Sequence, residues 1–485
     1  MDPDPPRSIL SRTLLPVTSA IVATIAINAF STLAVVAGLP PITAELGDVA
    51  LLSWVITSFL VMATLATMVA GQVIDAFGVR STFRLTMILS FAGSAACALA
   101  PSMPALVFFR GLQGAGAGFA FAVATAAVGL AYPESLRPRA LAAVSVTWGV
   151  MALGAPSIAA LFVASTGWRG IFWAILPIVA VASVVGWGRL PARPEPASPR
   201  LPLEATGVLL LGGFTVVSLV GFSGVSALSA AALGLAVVLA AAYWIYAGGT
   251  DHPVLGRRHL ALHPIGTTNI AFGLAFGAAL GIDAYLPVYV RGGLGYSAVV
   301  AAFSVAFLTV GWTVASVAMT RILDRFSETA TALVGFGLLI PPFLVGLVLY
   351  DHETRIALVL AMAFVIGLGI GTLAMSLLNL LYLVSEPAEV GRASSAHQYL
   401  RGLFHTYAAA LVGVILIGVV SDRTGGVEAV RQVLAGEGGT GDSATREAIA
   451  SGFRVGQAVP LAFAVTGLFV AIRLSRRLSQ PRRRR

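Results

Sequence analysis

Long apolar runs alternate with short polar stretches along the whole chain. A helix needs about 20 apolar residues to cross the hydrocarbon core of a bilayer. The pattern predicts fourteen such helices, because the uncharged stretch 205–250 is too long for one crossing and divides at the turn 221–224. The predicted spans are 13–37, 50–70, 85–100, 104–130, 139–163, 170–188, 205–222, 226–248, 266–290, 297–320, 329–350, 355–384, 394–420 and 454–473.

The composition excludes an ordinary soluble protein. Of the 485 residues, 58% are hydrophobic and only 11% are charged, whereas about 25% of the residues in soluble domains are charged. Most arginines lie on one side of the predicted topology, and the short outer loops hold only Arg169, Arg291 and Arg355. This bias predicts a multi-pass plasma-membrane protein with both termini in the cytoplasm and a first helix that is retained rather than cleaved.

Missing residue types exclude several chemistries. The sequence has no lysine, so neither a phosphate-binding GxxxxGK[ST] loop nor a Schiff base is available. The single cysteine, Cys97, excludes an intramolecular disulfide or a multi-cysteine metal site. The formal charge of +9 follows the membrane topology and does not indicate nucleic-acid binding. We therefore expect a protein that is not an enzyme and that has no cofactor or metal.

Two short charged loops suggest that the chain contains two matching halves. One loop spans Gly71–Arg80 and the other Arg321–Ser327, each between the second and third helices of a six-helix set. Parallel repeats of this kind are typical of secondary transporters. The predicted segments are a cytoplasmic N-terminus (1–12), an N-terminal bundle (13–188), a cytoplasmic linker (189–204), an inserted helix pair (205–248), a second cytoplasmic linker (249–265), a C-terminal bundle (266–473) with an outer loop (421–453), and a basic cytoplasmic tail (474–485).

The first loop carries a motif that resembles a known family. Gly71, Asp75, Gly78 and Arg80 match the G-x-L-x-D-R-x-G-R signature of the major facilitator superfamily, although its arginine after the aspartate is Ala76 here. The chain resembles most closely the fourteen-helix drug:proton antiporter branch. The resemblance implies an all-α fold of two six-helix bundles plus two inserted helices. Further elements that resemble the branch are Arg110 with Gln113-Gly114, Pro156 within 155–160, the segment 168–173, and Arg401 after 393–395.

The charged loops are expected to act as a conformational latch that holds the halves together in one state and releases in another. Asp75 can accept backbone donors or pair with Arg80. A solvated loop with topology charges is the alternative. Pro156 is expected to kink span five, and the glycine runs at 114–118 and 367–371 are expected to be close helix contacts. The predicted latch residues are Gly71, Asp75, Gly78, Arg80, Asp324 and Arg325.

One acid, Asp283, lies well inside a predicted span. An unpaired carboxylate there costs about 2.5–3.5 kcal/mol, so it should face the protein interior or water. His405 lies near the middle of span thirteen, where a histidine can change its charge near neutral pH. Asp283 and His405 are therefore the candidate proton-coupling residues, with a static ion pair as the alternative. The acid that the resemblance implies in span one is replaced by Ser31, so facilitated movement without protons stays open.

The spans contain few polar residues, which indicates a lipophilic cargo. Sugars or amino acids need many convergent hydrogen bonds, because each polar group left unpaired in a dry site costs about 1–3 kcal/mol. A central cavity for lipophilic cargo is the expectation. The predicted cavity residues are Asn28, Ser31, Arg110, Gln113, Trp148, Tyr285, Asn379, His397 and Arg401.

The sequence thus predicts a secondary active transporter that exports hydrophobic or amphipathic small molecules. We expect it to act as a monomer in contact with membrane lipid, with proton antiport as the candidate energy source. An exporter of a lipid or secondary metabolite is one alternative. A membrane scaffold or sensor that transports nothing is another.

Overall fold

The computed structural model describes residues 8–48, 51–192, 204–222, 226–261, 263–283, 285–424 and 443–479. Within these ranges, twelve helices are long and apolar enough to cross a membrane. The chain is therefore an all-helical, multi-pass membrane protein. The described α-helices are α1 (Leu15–Leu33), α2 (Val35–Leu46), α3 (Leu52–Ala98), α4 (Met103–Ala131), α5 (Arg137–Thr166), α6 (Arg169–Trp173), α7 (Ile175–Gly186), α8 (Ala205–Phe222), α9 (Ala227–Gly249), α10 (Arg257–Leu260), α11 (Pro264–Leu280), α12 (Leu286–Val288), α13 (Ala298–Ile322), α14 (Glu328–Leu349), α15 (Ile356–Val384), α16 (Val390–Thr424), α17 (Ser443–Gly456) and α18 (Ala458–Ser479).

Local sequence signals set several of the helix ends. The hydroxyls of Ser102, Ser297 and Ser327 accept hydrogen bonds from backbone N–H groups in the first turns of α4, α13 and α14. These caps satisfy donors that a helix N-terminus otherwise leaves without a partner. At their C-termini, α2 and α5 stop at Gly47 and Gly167, whose φ angles of 66° and 75° suit glycine.

The predicted loop between spans two and three is wrong. The range α3 holds two helices that meet at Gly78, whose φ of 82° and ψ of 161° are not helical, and the residues on both sides of it are helical. A hydropathy pattern assigns a run of polar residues to a loop. Polar residues can nevertheless remain helical where their side chains have hydrogen-bonding or ionic partners. A single glycine therefore separates two apolar stretches that the sequence analysis placed at 50–70 and 85–100.

Predicted span nine (266–290) is not one continuous helix. The helix α11 ends at Leu280, a turn follows, and the chain becomes helical again at Leu286 and continues as a π-helix over Tyr289–Gly293. Pro287 has no N–H to donate to the carbonyl four residues earlier, so it fits the first turn of a new helix better than the middle of an old one. Asp283 therefore lies in a turn and not in a helix.

The predicted outer loop 421–453 is also more ordered than expected where it is described. The helix α16 extends to Thr424, and residues 443–456 form α17. Buried residues of α17 include Ile449 and Phe453, and the Phe453 ring stacks on Tyr289 with a centroid separation of 4.4 Å. Residues 425–442, part of the predicted turn 221–224, and the arginines at 482–485 lie outside the described residues.

The contacts divide the chain into two compact units. Unit 1 contains Met1–Leu209, Tyr246–His259 and Leu381–Tyr399, and unit 2 contains Leu210–Ile245, Leu260–Leu380 and Leu400–Arg485. These limits differ from the predicted bundles at one informative place. Residues 381–399, predicted within the second bundle, pack in unit 1. The division into two bundles and an inserted pair remains a prediction.

Each unit has its own apolar core. In unit 1, α1 packs on α4, α5 and α7, and a buried cluster includes Ile42, Trp168 and Phe172. In unit 2, α11 and α14 both pack on α18, and the core includes Phe336 and Phe343. The outward-facing side chains are largely apolar, as expected of a protein that lies in lipid rather than water.

Glycines make the closest helix contacts in both units, which confirms the prediction for the two glycine runs. A Cβ at Gly114 would collide with the Phe59 carbonyl, and a Cβ at Gly367 would collide with the Leu308 carbonyl. In unit 1 this contact joins α4 to the first part of α3, and in unit 2 it joins α15 to α13. Small residues allow membrane helices to approach this closely.

Candidate functional site

The predicted latch aspartate pairs with an arginine in α16. Asp75 Oδ2 lies 2.8 Å from Arg392 Nε, and the two side chains are 17% and 22% exposed. Ser395, one turn further along α16, accepts a hydrogen bond from the Gly71 backbone at 3.0 Å and donates one to the Thr67 carbonyl. We call Gly71, Asp75, Arg392 and Ser395 the latch cluster. All four lie in unit 1.

Gly71 is required in the latch cluster for close approach. A Cβ at Gly71 would lie 2.8 Å from Arg392 Cα and 2.8 Å from Ser395 Cβ. No real side chain fits that space, so a larger residue would push α16 away from α3. The sequence motif therefore encodes a packing contact as well as a charge.

Arg80 does not pair with Asp75, contrary to one option left open by the sequence. Arg80 Nε donates to the Leu190 carbonyl at 2.8 Å, and its backbone N–H donates to the Pro191 carbonyl. Arg84 Nε donates to the Trp187 carbonyl at 3.0 Å. These carbonyls follow the end of α7, where a helix leaves acceptors without partners and favours positive charge. The two arginines thus fix the chain as it leaves α7.

The second charged loop differs from the first. Asp324 and Arg325 are exposed, as is Arg321. Among the residues that the structure describes, none of the ion pairs involves these three side chains. Unit 2 therefore contributes no counterpart of the latch cluster in this conformation. The latch role predicted for Asp324 and Arg325 remains a prediction.

Arg110 is the centre of a buried polar cluster in unit 1. Its guanidinium donates to the Val55 carbonyl at 2.9 Å, the Ser31 carbonyl at 3.2 Å and Gln113 Oε1 at 2.5 Å. Gln113 in turn donates to Ser94 Oγ at 2.8 Å. Arg110 is 1% exposed. We call these residues the Arg110 cluster; it connects α1, both parts of α3, and α4.

The remaining unit 1 candidates lie apart from one another. Asn28 is buried and donates to the Ala117 carbonyl at 3.1 Å. Trp148 is half-buried, and its ring stacks on Phe121 with a centroid separation of 5.8 Å and an interplanar angle of 12°. His397 is fully buried. The helix α5 runs without interruption from Arg137 to Thr166 through the exposed Pro156.

Unit 2 brings the two proton-coupling candidates together. His405 Nε2 lies 3.9 Å from Asp283 Oδ1, with side-chain exposures of 39% and 28%. The His405 ring also donates a hydrogen bond to the backbone of Leu280, the last residue of α11. The interruption of the predicted span therefore creates a place where a carboxylate and an imidazole meet, and both side chains are partly exposed.

The other unit 2 candidates surround this pair or lie elsewhere. The Arg401 guanidinium, one turn before His405, lies over the Phe276 ring at 5.2 Å from the centroid. The half-buried Tyr285 brings its hydroxyl against Gly413 on α16. Asn379 is buried and donates to Glu328 at 2.8 Å, at the start of α14. Asp283, His405 and Arg401 thus form one group, which we call the Asp283 cluster, and Asn379 belongs to a different contact.

Two groups of connected residues were missed by the sequence analysis. Arg392 was interpreted only as a topology charge, and its acidic neighbour Glu389 was not singled out. Glu45 was also missed: it accepts a hydrogen bond from Trp168 Nε1 at 2.7 Å and pairs with Arg169. Hydrogen bonds from Arg169 and then Trp168 lower the pKa of the Glu45 carboxyl. The available signals were an acid in one predicted outer loop and the pair Trp168-Arg169 in another.

Known proteins are similar to this chain in sequence and in fold. A sequence model described as "Major Facilitator Superfamily" matches residues 20–409. A Mycobacterium tuberculosis protein named "probable multidrug-efflux transporter" is 28% identical over 417 residues, which cover 81% of this chain and 85% of that protein. The multidrug transporter protein MdtP of Bacillus subtilis is 24% identical, covering 78% of this chain and 71% of that protein. A solved structure of the proton:xylose symporter XylE, 14% identical with TM-score 0.65 and 96% coverage of both chains, shares the fold.

Proposed function

Because the chain belongs to the Major Facilitator Superfamily, we propose that this membrane transporter exports hydrophobic or amphipathic small molecules across the plasma membrane in exchange for protons. The names of two relatives, which refer to multidrug efflux or transport, support the class of cargo. The apolar composition of the helices supports it independently, because a site with few polar groups suits a cargo that needs few hydrogen bonds.

The Asp283–His405 pair is the observation that carries the proposal. A carboxylate in a turn between apolar helices is costly unless it is used or paired. At 3.9 Å the pair is too long for a direct hydrogen bond, so a small movement or one water is needed for proton transfer between them. Partial exposure of both groups gives a proton or a cargo molecule access to the carboxylate.

The proposed cycle uses competition for Asp283. An ionised carboxylate binds a cargo molecule that carries a positive charge or a hydrogen-bond donor. A proton arriving through His405 neutralises the carboxylate, weakens that interaction and releases the cargo. Arg401 keeps a positive charge close to His405, which favours proton transfer onward to Asp283. Tyr285, which is half-buried in the same unit as Asp283, is the proposed aromatic contact for cargo.

We also propose that the chain crosses the membrane fourteen times. Two features support a number above twelve. The candidate span Trp54–Ala98 is 45 residues long, far beyond one crossing, and contains the non-helical Gly78. The helix α11 is apolar and has 17 residues, within the range for a spanning helix. Counting α3 as two spans and adding α11 gives fourteen, with both termini on the arginine-rich cytoplasmic side.

Transport by purified protein in proteoliposomes tests this function. The probe is tetraphenylphosphonium, a lipophilic cation, with an imposed pH gradient and a pH-sensitive dye in the lumen. We expect wild-type protein to exchange the probe for protons. Asp283→Asn should abolish the probe-induced pH change, and Asp422→Asn, which neutralises an exposed acid near the end of α16, should leave it intact.

The same vesicles separate the alternatives. Probe movement that is independent of the pH gradient in wild type would contradict proton exchange but retain transport. Transfer of a fluorescent phospholipid without movement of the probe would favour a lipid exporter. Absence of both, with folded protein in the membrane, would contradict a transport function.

A further inference from the structure

The linker that returns from the inserted helix pair is packed into unit 1. Val254 and Leu255 are both 0% exposed, and His259 is 3% exposed. A solvated tether would leave such apolar residues in water, which is unfavourable. We call residues 253–259 the strap. It lies in the same compact unit as the latch cluster.

Two strap residues contact one acid in front of α16. Arg258 Nη2 lies 2.9 Å from Glu389 Oε1, and His259 Nε2 lies 3.6 Å from Glu389 Oε2. The Glu389 side chain is only 10% exposed. Glu389 also accepts a hydrogen bond from the Glu386 backbone within the turn that precedes α16. The strap therefore binds the segment that sets where α16 begins.

Arg392, the first latch-cluster residue in α16, lies three residues after Glu389. Gly391 is packed so tightly that a Cβ there would collide with the Asp75 carboxylate, and Arg392 makes the ion pair with Asp75. The three-residue separation places Glu389 and Arg392 about one helical turn apart. A shift of Glu389 would therefore move Arg392 relative to Asp75.

A second connection ties the outgoing linker to the same region. The Glu204 backbone N–H donates to Gln72 Oε1 at 3.3 Å, and Gln72 is adjacent to Gly71 of the latch cluster. Glu204 Oε2 accepts a hydrogen bond from the Val254 backbone at 2.9 Å. Both linkers of the inserted pair are thus joined to each other and to α3.

We propose that the strap, through Arg258 and His259 on Glu389, positions Arg392 to pair with Asp75 and so holds the start of α16 against the middle of α3. The inserted helix pair then has a mechanical role: its linkers set how readily the cytoplasmic side of the transporter opens. Arg258, His259 and Glu389 are positioning residues that act through Arg392. The inference rests on the transport function proposed above.

A simpler role for Glu389 makes a different prediction. An acid near a helix N-terminus stabilises that helix without any partner. If that were the whole role of Glu389, removal of Arg258 would change nothing at α16. Under the strap proposal, Arg258→Gln and Glu389→Gln both loosen α16, and Glu389→Gln has the larger effect because it weakens two contacts.

Thiol accessibility measures this loosening without any cargo. The single cysteine is replaced by Cys97→Ser, and Ser394→Cys places a near-isosteric reporter at a fully buried position of α16. Protein in lipid nanodiscs is reacted with a membrane-impermeant maleimide. We expect Arg258→Gln to raise the labelling rate about two- to fivefold, as befits a partly exposed ion pair, and Arg258→Lys to restore much of the protection. The matched control is Arg355→Gln, an exposed arginine between α14 and α15.

Labelling rates that do not change in Arg258→Gln and Glu389→Gln would overturn the strap. An equal increase in Arg355→Gln would also overturn it. Monodisperse elution and an unchanged thermal midpoint identify variants that are folded, and His259→Gln, which removes the second strap contact to Glu389, replaces Arg258→Gln if the latter is not. Because the assay needs neither a gradient nor cargo, loss of the strap effect with intact export contradicts only the strap. A positive strap result without export contradicts only the proposed function.

Discussion

The two units hold their inner charges in different ways. In unit 1, Arg110 is 1% exposed and donates to two backbone carbonyls and an amide oxygen of the Arg110 cluster. In unit 2, Asp283 and His405 are 28% and 39% exposed and stand 3.9 Å apart across a turn. Arg110 and Asp283 both lie within apolar sequence. Arg110 is enclosed by fixed partners, whereas Asp283 remains partly exposed.

This difference separates a structural charge from a reactive one. A buried ion with a full set of donors and acceptors stabilises one arrangement and is costly to disturb. A carboxylate that is accessible and loosely paired can gain or lose a proton without reorganising its neighbours. We therefore propose that the Arg110 cluster connects helices and that the Asp283 cluster exchanges protons for cargo.

The largest expected effect on stability is at Arg110. Arg110→Ala removes donors from the Val55 and Ser31 carbonyls and leaves a cavity, so we expect a loss of about 3 kcal/mol. Arg110→Met, which retains much of the volume, should lose less. Asp283→Asn should change stability by less than about 1 kcal/mol. Thermal unfolding of the detergent-purified variants is the measurement, and equal losses at Arg110 and Asp283 would remove the distinction between the clusters.

The next effect compares the two charged loops. Asp75→Asn weakens a partly buried ion pair with Arg392, and we expect a loss of about 1–2 kcal/mol. Asp324→Asn, on the exposed loop, should stay within about 0.5 kcal/mol of wild type. A double variant with Arg392→Gln should lose less than the sum of the single losses. Strict additivity would show that the pair contributes nothing to the latch cluster.

A smaller effect is expected at the arginines that follow Asp75. Arg80→Gln removes a hydrogen bond to the Leu190 carbonyl near the end of α7, which we expect to cost about 1 kcal/mol. Arg321→Gln removes an exposed arginine from the second loop and serves as the control. Limited proteolysis between α7 and α8 should be faster in Arg80→Gln alone, and equal rates in both variants would contradict the role given to Arg80.

The smallest effect concerns Glu45, an exposed acid that contrasts with both inner clusters. Hydrogen bonds from Arg169 and Trp168 hold the pKa of Glu45 below its ordinary value of 4.5. The folded-state pKa is thus below the unfolded one, so the stabilisation is complete above the unfolded value and is lost as pH falls through the folded value. The difference in thermal midpoint between wild type and Glu45→Gln should shrink below about pH 4 and at high salt. A difference that is independent of pH would contradict this.

The sequence was most informative where a property depends on neighbouring residues. The long apolar runs predicted where the helices lie, because the bilayer fixes their length. The superfamily resemblance, carried by Gly71, Asp75, Gly78 and Arg80, is confirmed by the family match over residues 20–409. The glycine contacts at Gly114 and Gly367 followed from small residues in apolar helices.

Contacts between distant segments were beyond the sequence analysis. The partner of Asp75 is 317 residues away in the chain, and nothing local to either residue distinguishes Arg392 from a topology charge. The interruption after Leu280 was missed because hydropathy does not register a turn in apolar sequence, although Gly281 and Pro287 were signals. The burial of Val254 in a predicted linker depends on packing that only three-dimensional structure provides.

Proton release on cargo binding tests the central claim most directly. Detergent-purified protein in weakly buffered solution is mixed with tetraphenylphosphonium at a series of pH values, and the released protons are followed with an indicator dye. The account predicts that wild type releases protons in proportion to the probe bound, and that Asp283→Asn binds probe more weakly and releases none. Equal proton release by the two proteins would contradict the assignment of Asp283 as the group that exchanges a proton for cargo.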